Sequence, residues 1–89
     1  MTVMEAQEEI ERWVLSVCEK IGLRAADVNA DFFEAGGNSL AAMKIISQAE
    51  ETFGEDALPP DDLFSRSTVR EIAACILANS GRAPVTSES

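Results

Sequence analysis

The 89-residue chain has no histidine and no tyrosine, and it carries only 7 Lys or Arg against 16 Asp or Glu. Each shortage excludes a class of function. Without histidine, the usual base that activates a serine nucleophile is missing. Zinc also loses one of its commonest ligands. With so few basic side chains, phosphate contacts and counterion release cannot drive binding to nucleic acid, and an anionic membrane surface is equally ill matched. The formal net charge is -9. An acidic surface suits basic protein partners and salt-sensitive encounters, or simple solubility.

Cysteine is scarce as well. Cys18 and Cys75 are far apart, no CxxC pair exists, and a zinc site is excluded. They are expected to be small core residues in a reducing cytosol, which places the protein in the cytoplasm. No signal peptide is recognisable. The apolar stretches fall far short of the roughly 20 residues that cross a bilayer. Strand-like alternation and internal repeats are absent. A chain of this length makes one small domain that buries about 60–65% of its unfolded surface.

Helical periodicity dominates what remains. Ile10, Trp13, Val14, Val17 and Ile21 make one apolar stripe. Ala42, Ile45, Ile46, Ala49 and Phe53 repeat its offsets, and Val69, Ile72, Ala73, Ile76 and Leu77 make a third. Gly22, Gly54 and Gly81 follow these segments, where a helix wants a left-handed C′ residue. Thr68 and Glu71 form a capping box for the last helix. Asn38 or Ser39 can cap the second.

The connection from Gly22 to Asn38 is long enough to be functional or disordered. Adjacent Phe32 and Phe33 argue for order, with at least one ring packed inward. After the second long helix, Leu58-Pro59-Pro60-Asp61-Asp62-Leu63-Phe64 predicts a short helix. Pro60 lies near its start, Asp61 and Asp62 at its positive end, and Leu63 and Phe64 are its anchors. The expected architecture is all-α, a four-helix bundle with a long loop between helices 1 and 2 and a short helix 3. Residues 1–7 are expected as a loose lead-in, 8–80 as the domain, and 81–89 as a disordered tail or linker. Met1 opens the chain and the end comes soon after helix 4, a pattern shared by free-standing proteins and excised domains.

Gly36-Gly37-Asn38-Ser39-Leu40 is the candidate site. The glycines permit unusual backbone angles and close approach. With Asn38 as the cap, Ser39 occupies the first turn, where free N–H groups and the positive helix end favour an anion. The string is neither a phosphate-binding Walker loop nor a nucleophile elbow. At 100° per residue, Leu40 and Met43 point away from the inward stripe and flank Ser39, as a docking surface would. Scattered apolar residues and a serine cap are also ordinary features of protein surfaces.

The run Asp31-Phe32-Phe33-Glu34-Ala35-Gly36-Gly37-Asn38-Ser39-Leu40 resembles the core motif of peptidyl carrier, or thiolation, domains of nonribosomal peptide synthetases. Phe53-Gly54, Leu58-Pro59, Asp62-Leu63-Phe64 and Thr68-Val69 follow in order where that family has similar residues. The likeness covers residues 8 to 80. It implies a right-handed-wound bundle of the acyl-carrier type, with Gly36, Gly37 and Asn38 in the motif that presents Ser39. It implies that a phosphopantetheinyl transferase, using coenzyme A and Mg²⁺, places 4′-phosphopantetheine on Ser39, whose thiol then carries an aminoacyl or peptidyl thioester.

The partners implied are that transferase, an adenylation enzyme, and condensation, tailoring or thioesterase enzymes downstream. Leu40 and Met43 match partner-contacting positions. The domain itself is implied to be a non-catalytic monomer with no nucleic-acid or membrane partner. Asn38 stands where fatty-acid and polyketide acyl carriers usually have Asp, and Gly36-Gly37 also favours the peptidyl type. Ala35 stands where the family often has Leu. The strong acidity is nearer to free-standing acyl carriers. An acyl carrier for fatty-acid or polyketide chemistry, and a helical interaction module without a prosthetic group, remain the alternatives.

Overall fold

The structure is a computed structural model that describes residues 3–80, with side chains from Glu5 onward. Four helices follow one another: α1 (Val3–Lys20), α2 (Ser39–Phe53), α3 (Pro60–Ser65) and α4 (Val69–Ser80). No strand occurs among the described residues beyond a single antiparallel bridge between Asp31 and Thr68. No described helix is long and apolar enough to cross a membrane.

The three stripes meet in one core. Ile10, Val14, Val17 and Cys18 of α1 pack with Ala42, Ile45, Ala49 and Phe53 of α2 and with Val69, Ile72, Ala73 and Ile76 of α4. α1 and α4 share the largest interface, and α3 bridges α2 and α4. Burial of these side chains, at about 25 cal/mol per Å² of apolar surface, is what holds so short a chain together.

Some expected positions shift. α1 is already helical from Val3 and Ala6 is buried, so the helix reaches into the expected lead-in. Trp13, Ile21, Ile46 and Leu77 are half-buried, lying at the edges of their stripes. Trp13 nonetheless contributes, meeting Phe53 edge to face at 4.9 Å. Cys18 is buried as expected. Cys75 is only half-buried, because its thiol faces the α3–α4 seam, where it donates to Asp62 Oδ2 at 3.4 Å. Gly81 and the expected tail, 81–89, lie outside the described residues.

The helix ends are chemically specified. The Glu71 N–H donates to Thr68 Oγ1 at 3.1 Å, and Glu71 Oε1 accepts from the Thr68 N–H at 3.4 Å, which is the expected capping box. Gly22 and Gly54 take φ of 89° and 114°, ending α1 and α2 in a region that side-chain-bearing residues avoid. Pro60 occupies the first turn of α3. Leu63 is buried, but Phe64 is 54% exposed. Neighbours on a helix point about 100° apart, and here Leu63 faces the core while Phe64 faces outward.

Candidate functional site

The loop from Ile21 to Asn38 is ordered by its own hydrogen bonds. Asp31 Oδ2 accepts from the N–H groups of Phe33 at 2.9 Å and Glu34 at 3.0 Å. Its carbonyl accepts from the Ala35 N–H at 2.9 Å. An aspartate suits this position because its short carboxylate folds back onto the amides two and three residues on. Gly36 closes the turn with φ of 115°. The Gly37 N–H then donates to the Phe32 carbonyl at 3.0 Å. Phe32 is the ring that packs inward and is fully buried, while Phe33 is half-buried.

Asn38, not Ser39, caps α2. Its backbone is extended, its Oδ1 accepts from the Ala41 N–H at 2.9 Å, and its carbonyl accepts from the Ala42 N–H at 2.8 Å. Ser39 is therefore the first helical residue, and its side chain is exposed. Among the described residues, the N–H groups of Ser39 and Leu40 have no hydrogen-bond acceptor. No acidic side chain lies in the first turn of α2, although the chain as a whole is strongly acidic. The helix start is thus a small electropositive spot beside an accessible hydroxyl.

Leu40 and Met43 are 63% and 68% exposed, matching the outward phase read from the helix. Both are within one turn of Ser39 along α2. The surface here is open. A hollow of about 630 Å³ between α1 and the following loop, lined by Arg12, Leu15, Ser16, Glu19, Leu23 and Arg24, includes no residue of the motif. No group of acidic, cysteine or histidine side chains that could hold a metal occurs among the described residues.

The third large exposed apolar residue, Phe64, was expected as an anchor of the short helix; it lies outside the core, 54% exposed. It stacks on Phe33 with centroids 5.4 Å apart and planes 14° from parallel. Neither its exposure nor the Phe33 contact was legible in the sequence, because adjacent helix residues can both be buried, as Val17 and Cys18 are, and the contact joins segments remote in sequence.

Comparison with known proteins shows the family. The family model described as "phosphopantetheine attachment site" matches residues 14–76. Tyrocidine synthase 3 of Brevibacillus parabrevis is 38% identical over 72 residues, covering 80% of this chain and 1% of that protein. D-lysergyl-peptide-synthetase subunit 1 of Claviceps purpurea is 38% identical over 63 residues, 71% of this chain and 2% of the relative. Indigoidine synthase of Dickeya dadantii (strain 3937) is 33% identical over 86 residues, 96% of this chain and 6% of the relative. The chain thus spans a small fraction of the length of each relative. No solved structure matches it significantly.

Proposed function

Because the chain belongs to the phosphopantetheine attachment family, we propose that Ser39 is the residue to which its 4′-phosphopantetheine is covalently joined. The domain is a carrier, related to those of nonribosomal peptide synthetases. One observation carries the choice of Ser39. Its exposed hydroxyl stands at the first position of α2, beside two N–H groups without acceptors and no acidic neighbour in that turn. A phosphodiester fits there, since its charge meets the positive helix end, a contact worth about 0.3–1 kcal/mol at an exposed site. When bound, the group supplies a terminal thiol on a flexible arm, to which an acyl unit is held as a thioester.

The chain's own residues present and steady that attachment point. Asn38 takes the Ala41 N–H, starting the helix so that Ser39 faces solvent. Gly36 and Gly37 shape the turn that delivers the chain to Asn38, Gly36 by its φ of 115° and Gly37 by lying flush against Phe32. Leu40 and Met43 supply apolar contact for visiting enzymes, and the acidic surface speeds encounter with basic partners. A tethered cargo gains effective concentration at each active site it reaches, provided that each docking contact stays weak enough to release.

In the same reading the cargo is aminoacyl or peptidyl. It comes from an adenylation enzyme and passes to condensation, tailoring or thioesterase enzymes, after a phosphopantetheinyl transferase has drawn the arm from coenzyme A. The relatives named as tyrocidine and D-lysergyl-peptide synthases support this class. The domain works as a cytoplasmic monomer and performs no catalysis itself. Its unit runs through residue 80 and starts earlier than residue 8, since α1 begins at Val3.

The test is intact mass after incubation with a broad-specificity transferase, Mg²⁺ and coenzyme A. One phosphopantetheine adds to the parent and none to Ser39→Ala. Addition to Ser39→Ala, or none to the parent, refutes the assignment.

A further inference from the structure

Two sets of contacts hold the segment that presents Ser39, one from α3 and one from the junction and first residues of α4. The first is aromatic. Phe64 of α3 stacks on Phe33, which meets Phe32 edge to face with centroids 5.1 Å apart. Phe32 in turn lies against Gly37 with no space for a single methyl between them, and its carbonyl holds the Gly37 N–H. Gly37 is bonded to Asn38, the cap that starts α2. The second set is main-chain. The Phe32 N–H donates to the Ser67 carbonyl at 2.7 Å, the Val69 N–H to Ala30 at 3.0 Å, and the Arg70 N–H to Val28 at 2.9 Å. These bonds fasten the loop to the junction between α3 and α4.

Phe64 is an unusual residue for its place. It is more than half exposed, follows Asp61 and Asp62, and lies on a helix of 6 residues whose core contact is made by Leu63. Burial therefore does not account for an aromatic ring there. The ring stack does, because a parallel pair holds two segments in a defined orientation as well as excluding water between them.

We propose that Phe64 is a positioning residue for Ser39: through Phe33 and Phe32 it holds the Gly37–Asn38 turn, so that drawing α3 away from the loop loosens the start of α2. The path is a series of packed rings and hydrogen bonds, which moves as a unit because packed interiors transmit displacement. An enzyme that displaced Phe64 would thereby alter how Ser39 is presented. That consequence rests on the attachment reading above. The coupling between α3 and the loop does not, and it is measured without any partner.

Amide hydrogen exchange on the unmodified protein, read residue by residue by NMR, tests it. In Phe64→Ala, the amides of Gly36, Gly37 and Ala41 exchange about three- to tenfold faster, the range that losing one aromatic pair produces. Core amides of α1 and α4 keep their parent rates, and Phe64→Tyr, which keeps the stack, restores the loop. The Phe33→Ala, Phe64→Ala double variant opens no further than Phe33→Ala alone.

Parent-like exchange at Gly37 and Ala41 in Phe64→Ala overturns the proposal. So does a uniform acceleration across all four helices, which would make Phe64 a merely stabilising residue. Transfer kinetics give an independent readout. Phe64→Ala lowers kcat for phosphopantetheine transfer, and Phe64→Tyr recovers it. A rise in KM alone, with parent-like exchange, would make Phe64 a contact residue only. If no variant and not even the parent is modified, the attachment reading fails while the exchange result still decides the coupling.

Discussion

The ring of Phe32 closes over Gly37 so tightly that a Cβ at residue 37 would lie 2.7 Å from two ring carbons and 2.6 Å from the Phe32 carbonyl oxygen. The neighbouring glycine is needed for a different reason. Gly36 has room for a methyl, with Leu23 at 3.6 Å, but takes φ of 115°. One glycine answers to space and the other to backbone conformation.

Both substitutions should therefore destabilise, by distinguishable routes. Gly37→Ala forces the loop away from Phe32 and should cost about 1–3 kcal/mol, as overpacking does. Gly36→Ala strains the backbone by a similar amount, about 1–3 kcal/mol. Urea titration measures the loss. In NMR spectra, Gly37→Ala should move the resonances of Phe32 and Ser39 most, while Gly36→Ala should not move the Phe32 ring. Identical shift patterns would contradict the separate roles.

Phe53 and Leu40 lie on the same helix with opposite burial. Phe53 is in the core against Trp13, and Leu40 is exposed. Phe53→Ala should cost about 3–5 kcal/mol, a large share of the stability of so small a fold. Leu40→Ala should stay within about 0.5 kcal/mol, as surface changes usually do. Equal losses in a denaturant titration would be incompatible with this helical phase.

Met43→Glu addresses docking. At 68% exposure Met43 leaves the fold indifferent to its replacement, so circular dichroism and the urea midpoint should match the parent. Loading or onward transfer should slow, because desolvating an unpaired charge at an interface costs more than the roughly 1–3 kcal/mol of an unsatisfied neutral group. Unchanged kinetics with every cognate enzyme would remove Met43 from the interface. Added salt should lower the association rate more than it raises dissociation.

The two cysteines should be sluggish thiols. Burial pushes Cys18 up to about 11. Burial also pushes Cys75 up to about 11, helped by its hydrogen bond to Asp62 and by that carboxylate's charge. At pH 8 an alkylating reagent should modify Cys75 slowly and Cys18 only on unfolding, and Asp62→Asn should speed Cys75. The same shifts bear on stability. The folded state holds these protons more tightly than the unfolded chain does. Their contribution is thus fully present below the unmodified value of 9.0 and is lost as pH rises from there through about 11. Urea midpoints measured over that range should fall, and less steeply once both cysteines are replaced by alanine.

Much of this protein was legible in the residue order, and the reason is local physics. Apolar spacing along α1, α2 and α4 specifies which face turns inward, because a helix of 3.6 residues per turn permits one stripe. The Thr68–Glu71 capping box depends on residues three apart and nothing else. Leu40 and Met43 had to point outward once Ala42, Ile45 and Phe53 pointed in. Tertiary structure decided the rest. It chose Asn38 over Ser39 as the cap of α2, a choice that the residue types left open and that the loop from Asp31 to Gly37 settles by delivering the chain in extended form at Asn38. It left Cys75 at the α3–α4 seam, beside an aspartate 13 positions away in sequence. It turned Phe64 out of the core and onto Phe33, because only the folded chain brings α3 against the loop. Contacts of that kind join residues with no periodic relation, so they follow from how the helices pack and from no pattern within any one of them.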